Sequence, residues 1–253
     1  MEFIDLKSQY CEIQESLHSR IQFVLKHGQY IMGPEVIELE GILAHYTGSN
    51  YCISCSSGTD ALLMPLMAQG ISPGNAVFTT PFTFIATAEA VVYSGAKPIL
   101  CDVEENYHNI DINLIEQLIT PRTKAIIPVH FGGNPCDMDE IKKIANHFNL
   151  KIIEDAAHAL PSSYKNKKIG TLSDAVCFSF YATKTLTTGE GGMVTTNNSK
   201  IAEKVRIQRL HGINGDAWKR YEQVNDWYYE VIDLGYKYNT TDIQSAIGLV
   251  QLE

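Results

Sequence analysis

The sequence predicts an α/β fold, a three-layer α/β/α arrangement in which helices cover both faces of a mostly parallel central sheet. Two observations carry that prediction. Short apolar or β-branched runs at 51–55, 76–80, 97–102, 124–129, 151–154 and 174–180 alternate with helical patterns at 59–69, 83–93, 111–119 and 138–149. Repeated strand, helix, strand order with connections of this length implies parallel pairing, and ligands of such sheets gather at the carboxyl ends of the strands. The chain has 253 residues, 45% hydrophobic and 19% charged, which fits one large globular domain or one and a half.

Before the alternation starts, an amphipathic stretch at 12–26 (Ile13, Leu17, Ile21, Val24, Leu25) reads as a first helix. A second begins at Gly33-Pro34, with Pro34 in the first turn where it is tolerated, and stops near Gly48. Residues 61–88 carry no charge, but Pro65, Gly70, Pro73, Gly74 and Pro81 break the run into a helix, a turn and a strand rather than a membrane span. After the last expected strand, a helix is expected at 198–210. A loop-like stretch at 212–238 follows, and an apolar-periodic segment runs from Thr240 to Glu253 without a stop signal. The aromatics of that loop, Trp218, Tyr221, Trp227, Tyr228 and Tyr229, fit either a contact with substrate or a partner subunit, or a buried satellite cluster.

Several function classes are disfavoured. A formal net charge of −9 argues against a surface built for nucleic acid or anionic lipid and favours a small-molecule substrate. The first residues, MEFIDLKSQY, do not resemble a secretory signal, so a cytoplasmic location is expected. The six cysteines, mostly in apolar runs, then read as small hydrophobes without disulfides, and Cys52-x-x-Cys55 has no second pair to make a metal site. Gly189-Glu190-Gly191-Gly192 lacks the last glycine of a dinucleotide fingerprint and lies too late in the chain, and the Gly28 to Gly33 spacing is followed by Pro34 instead of a P-loop lysine.

Three strings can carry chemistry. In Cys55-Ser56-Ser57-Gly58-Thr59-Asp60-Ala61 a strand ends in small hydroxyl residues and glycine where a helix begins, which suits a phosphate and equally an ordinary Ser/Thr cap. In Ile152-Ile153-Glu154-Asp155-Ala156-Ala157-His158 a carboxylate sits at a strand end, either facing a ligand or capping the next helix. His158 fits a ligand contact or a core histidine. In the stretch from Cys177 to Gly192, Lys184 follows a buried strand and precedes a glycine-rich turn; there its amine is partly desolvated and competent to form an imine, unless it is a surface lysine past a strand end. Together they supply a phosphate clamp, a partner for a pyridine nitrogen and an imine-forming amine, the set that pyridoxal 5'-phosphate (PLP) needs. Phe82 and Phe84 offer a stacking face or a packed helix start.

At these residues the sequence closely resembles the DegT-type family of PLP-dependent nucleotide-sugar aminotransferases. The match runs from Gly28-Gln29-Tyr30-Ile31-Met32-Gly33-Pro34 through SSGTDAL, PFTFIATAEA, TPRTKAIIPVHFGG, IIEDAAHA and FSFYATKTLTTGEGG to Gly235-Tyr236-Lys237-Tyr238-Asn239 and Thr241-Asp242-Ile243-Gln244. The resemblance implies the large domain of a fold type I PLP-dependent transferase. Lys184 would hold PLP as a Schiff base and Asp155 would pair with the pyridine nitrogen. Gly58, Thr59 and Ser179 would bind the phosphate, Phe84 would stack on the ring and His158 would lie beside it. Asn239 would reach the phosphate of a neighbouring subunit, which implies a homodimer with shared sites.

The resemblance also implies an amino group moved from an amino acid, glutamate in the first instance, to a keto group of a nucleotide-linked sugar. Residues 1–240 would then form the PLP-binding domain, and 241–253 would begin a helix leading to a smaller C-terminal domain that this sequence lacks. A truncated, non-catalytic or regulatory member of the family is the alternative. A dehydrating relative with histidine at the lysine position is disfavoured by Lys184.

Overall fold

A computed structural model describes residues 4–214 and 229–252. The chain opens with helices α1 (Leu6–His27) and α2 (Pro34–Thr47). Both stop at a glycine in the left-handed region, Gly28 and Gly48 with φ of 73°, whose N–H groups return to Val24 and Ala44 carbonyls. The alternation then follows as β1 (Tyr51–Cys55), α3 (Gly58–Ala68), β2 (Ala76–Thr79), α4 (Ala86–Tyr93), β3 (Lys97–Leu100), α5 (Ile112–Leu118), β4 (Thr123–Ile126), α6 (Met138–Phe148) and β5 (Lys151–Asp155). Next come a small hairpin, β6 (Ser163–Tyr164) and β7 (Lys167–Lys168), then β8 (Ala175–Ser179), β9 (Gly192–Thr196), α7 (Ser199–Gln208) and α8 (Asp242–Val250).

The main sheet has seven strands in the order β1-β9-β8-β5-β4-β2-β3. From β8 to β3 every pair is parallel, whereas β9 runs antiparallel to both of its neighbours. Successive residues along the strands enter opposite cores. Ile152, Val176 and Met193 join α2, α5 and α6 residues on one face, and Ile153, Cys177 and Val194 join α3, α4 and α7 residues on the other. A strand buried on both faces reads as a continuous apolar run, which is why these strands were visible in the sequence.

Strand β9 is the main departure from the sequence reading, which has no strand at 192–196. Its five residues begin at a glycine and follow directly on a Gly-rich turn, and that composition reads as loop. The β6–β7 hairpin is also unannounced; its turn residues Lys165 and Asn166 both have positive φ, 47° and 65°, as a type I′ turn requires, without the glycine that would mark it. Helix α4 starts three residues later than the helical pattern at 83–93, after a bend at Thr83. All six cysteines are free, and only Cys11 is exposed.

Helix α8 packs on α1 and α2. The carboxylate of Asp242, fully buried, accepts the Gly33 and Val36 N–H groups at 2.9 and 3.3 Å and so caps α2 from a distant part of the chain. A Cβ on Gly33 would lie 2.7 Å from that carboxylate. Trp218, Tyr221, Trp227 and Tyr228 lie outside the described residues, while Tyr229 is exposed.

Candidate cofactor site at the carboxyl ends of the strands

Register places one end of the candidate site. Cys55 pairs with Gly192 and Gly192 with Ser179, so the last residues of β1 and β8 and the first of β9 form one row at the sheet edge. Above that row α3 begins. Ser57 is its N-cap, its hydroxyl accepting the Asp60 N–H at 3.1 Å and standing 2.8 Å from the Asp60 carboxylate. The amides of Gly58 and Thr59 belong to the first turn, which has no intrahelical acceptors, and they lie at the positive end of the helix dipole. This arrangement suits an anion.

The seat depends on two missing side chains. A Cβ on Gly58 would stand 2.7 Å from Ser179 Cβ, and one on Gly192 would stand 2.2 Å from the Ser57 carbonyl oxygen. Both lie inside van der Waals contact, so glycine is what lets β8 and β9 approach the helix start. Ser179 is thereby brought against Gly58, joining two of the residues expected to bind phosphate.

The other end is built from side chains. Strand β5 lies beside β8, with Asp155 opposite Cys177. The main chain of Asp155 is held by Pro128 and His130, at 2.9 and 3.0 Å. Its carboxylate accepts the Ala157 N–H at 3.2 Å on Oδ1 and the Thr87 hydroxyl at 2.7 Å on Oδ2. On the opposite side of β5, fully buried Glu154 meets Nε2 of His130 at 2.7 Å, while Nδ1 of that ring accepts the Cys136 N–H at 3.1 Å. The ring's proton therefore lies on Nε2, facing Glu154.

Lys184 stands on a loop closed on itself by Phe180 N–H to Gly191 and Thr188 N–H to Phe180 bonds of 2.8 and 3.0 Å. Gln251, past the end of α8, braces the loop through both the N–H and the carbonyl of Thr187. The Lys184 amine meets His158 Nε2 at 2.6 Å. Burial lowers the Lys184 pKa below its ordinary value, against the opposing charge of Asp155. His158 is lowered too, by burial and then by the Lys184 charge. The lowered lysine pKa leaves the amine readier to act as a nucleophile.

Phe84 is 77% exposed, three residues before Thr87, to which its carbonyl is bonded at 3.2 Å. Asn239 is set apart from the others. It follows Tyr238, whose carbonyl accepts the Ser56 N–H at 2.7 Å beside the seat, but its own Nδ2 donates to Thr240 and its buried Oδ1 has no partner. Sequence reasoning passed over Thr87 and Gly192. PFTFIATAEA drew attention to its phenylalanines, and Gly192 to a failed dinucleotide pattern.

The residues fit PLP on their own chemistry. The glycine-lined seat suits a phosphate, the Asp155 carboxylate a ring nitrogen that carries a proton, and the Lys184 amine an aldehyde.

Comparison with known proteins agrees with that fit. The model of the DegT/DnrJ/EryC1/StrS aminotransferase family matches residues 11–253. The chain is 44% identical to the UDP-2-acetamido-2-deoxy-3-oxo-D-glucuronate aminotransferase of Pseudomonas aeruginosa, over 100% of this chain and 67% of that protein. A DegT DnrJ EryC1 StrS aminotransferase from Brucella abortus superposes with a TM-score of 0.91 at 38% identity, covering 100% of this chain and 67% of that one. NtdA from Bacillus subtilis, solved with bound cofactor PMP, gives 0.86 at 34% identity, covering 95% and 53%. The chain spans 57–67% of the length of the curated relatives it matches.

Proposed function

This chain belongs to the DegT/DnrJ/EryC1/StrS aminotransferase family, and we propose that it is the PLP-binding part of an aminotransferase that moves an amino group from glutamate to a keto group of a nucleotide-linked sugar. The observation that carries the reading is the Lys184 amine, lowered in pKa and held by His158, on the loop that follows the strand next to the one that ends in Asp155. The relative from Pseudomonas aeruginosa, named for amination of a UDP-linked keto sugar, supports the acceptor class.

In this reading Gly58, Thr59 and Ser179 hold the phosphate and Asp155 faces the ring nitrogen. Phe84 covers one ring face and His158 lies beside the ring. When bound, PLP supplies an electron sink and a carrier for the amino group. Lys184 Nζ takes the proton from the donor's α carbon and returns one to the acceptor, and its lowered pKa leaves more of the amine unprotonated to accept it. His158, 2.6 Å away, holds Nζ in place between these transfers.

A second copy of the chain belongs to the same proposal. Ile85, Val92 and Tyr93 expose apolar side chains around α4, as do Val231, Ile232 and Leu234 elsewhere, and such surface suits burial against a partner. Asn239 is the residue offered to the partner's phosphate. Five buried free thiols fit a reducing, cytoplasmic setting. No helix among the described residues is long and apolar enough to cross a membrane.

The test is a half-reaction. PLP-loaded chain given L-glutamate should release 2-oxoglutarate in stoichiometric amount and then aminate a UDP-linked keto sugar. Release of 2-oxoglutarate without amination of any nucleotide-linked keto sugar would overturn the acceptor assignment.

A further inference from the structure

We infer that Thr87, backed by Thr83, is a positioning residue for the cofactor: a two-hydroxyl relay that fixes the Asp155 carboxylate toward the ring nitrogen. The inference rests on the PLP reading above and concerns residues that reading leaves without a role.

Thr87 lies in the first turn of α4, fully buried, and its Oγ1 has three polar neighbours: Asp155 Oδ2 at 2.7 Å, Thr83 Oγ1 at 2.8 Å and the Phe84 carbonyl at 3.2 Å. A hydroxyl has one proton to give. The carboxylate is both the nearest acceptor and the charged one, and a hydrogen bond to a charged acceptor is the stronger, so Asp155 takes that proton. Thr83 is then left as the donor to Thr87. The relay has one direction, Thr83 to Thr87 to Asp155.

That direction matters because of how Asp155 is otherwise held. Its main chain is fixed by Pro128 and His130, but among the described residues its carboxylate has only one further bond, from Ala157 N–H to Oδ1 at 3.2 Å. A single long bond leaves the carboxyl plane free to turn. The Thr87 hydroxyl pins the other oxygen, and each oxygen retains a lone pair for a ring N–H. Among the described residues the two hydroxyls make no other side-chain bond.

Thr87→Val keeps the shape and removes the hydroxyl; Thr87→Ser keeps the hydroxyl and removes the methyl. The dissociation constant of PLP from the 253-residue chain, and the pH titration of its visible band, are measured for both. Thr87→Val is expected to weaken PLP on the order of tenfold, about 1.4 kcal/mol, and to shift the titration, with Thr87→Ser within about twofold of the parent. Equal behaviour of Val and Ser would overturn the inference while the parent still binds PLP. A parent that binds no PLP would instead remove the reading beneath it. If Thr87→Val does not fold, Thr83→Val decides: a weaker loss in the same direction supports the relay, and no change contradicts it.

Discussion

The two ends of the candidate site are built in opposite ways. At the end proposed for the phosphate the groups on offer are backbone amides of Gly58 and Thr59, and the side chains that matter are the ones glycine leaves out. At the end proposed for the ring the main chain is a support, and Asp155, Lys184, His158 and Thr87 meet one another through side-chain atoms. The first kind of site is damaged by adding atoms and the second by removing them. Substitutions of the two kinds therefore separate the ends.

The largest effect is expected for Gly192→Ala. Its Cβ would lie 2.2 Å from the Ser57 carbonyl, a backbone atom at the start of α3 above the row that joins β1, β9 and β8, so relief requires β9 and α3 to move apart. A loss of about 3 kcal/mol of folding stability is expected, read by urea denaturation with and without PLP. A loss under about 0.5 kcal/mol, the range of an ordinary surface change, would mean that the row is looser than described.

Gly58→Ala meets a side chain instead of backbone, Ser179 Cβ at 2.7 Å. The chain should fold, and PLP affinity should fall about tenfold, equivalent to about 1.4 kcal/mol. The double variant Gly58→Ala with Ser179→Gly should lose less than the sum of the two single variants, since the two sites are in contact and should couple. Additive losses would break the assignment of this contact.

The smallest effect is a shift along the pH axis at the other end. The Lys184 pKa lies below its ordinary value of 10.5 because burial disfavours the ammonium, and the Asp155 charge opposes that shift. As pH rises through this lowered pKa the amine loses its proton, so the rate at which the cofactor-free chain takes up PLP should rise and level off below pH 10.5. Asp155→Asn removes the opposing charge and should move the plateau to still lower pH. A plateau that moves upward in that variant would reverse the electrostatics described for the pair.

What the sequence made legible follows the same division. The strands buried on both faces stood out as apolar runs, and Asp155 and Lys184 stood out because a charged residue after such a run is conspicuous. Ser57, Gly58 and Thr59 could be read because a cap and a helix start are local in sequence. The illegible parts depend on contacts between distant segments. Asp242 caps α2 across more than two hundred residues, and no local period announces that bond. Strand β9 is short and opens on Gly192, whose fitness depends on the Ser57 carbonyl rather than on its neighbours in sequence. Thr87 looked like one more residue of an apolar helix until β5 brought Asp155 beside it.

The central claim is that Lys184 is the residue that holds PLP. Borohydride reduction of the PLP-loaded chain, followed by peptide mass mapping, tests it most directly, with Lys184→Ala as the control. The account expects the reduced cofactor on Lys184 alone and none retained by the variant. Labelling spread over other lysines, or undiminished in Lys184→Ala, would contradict it.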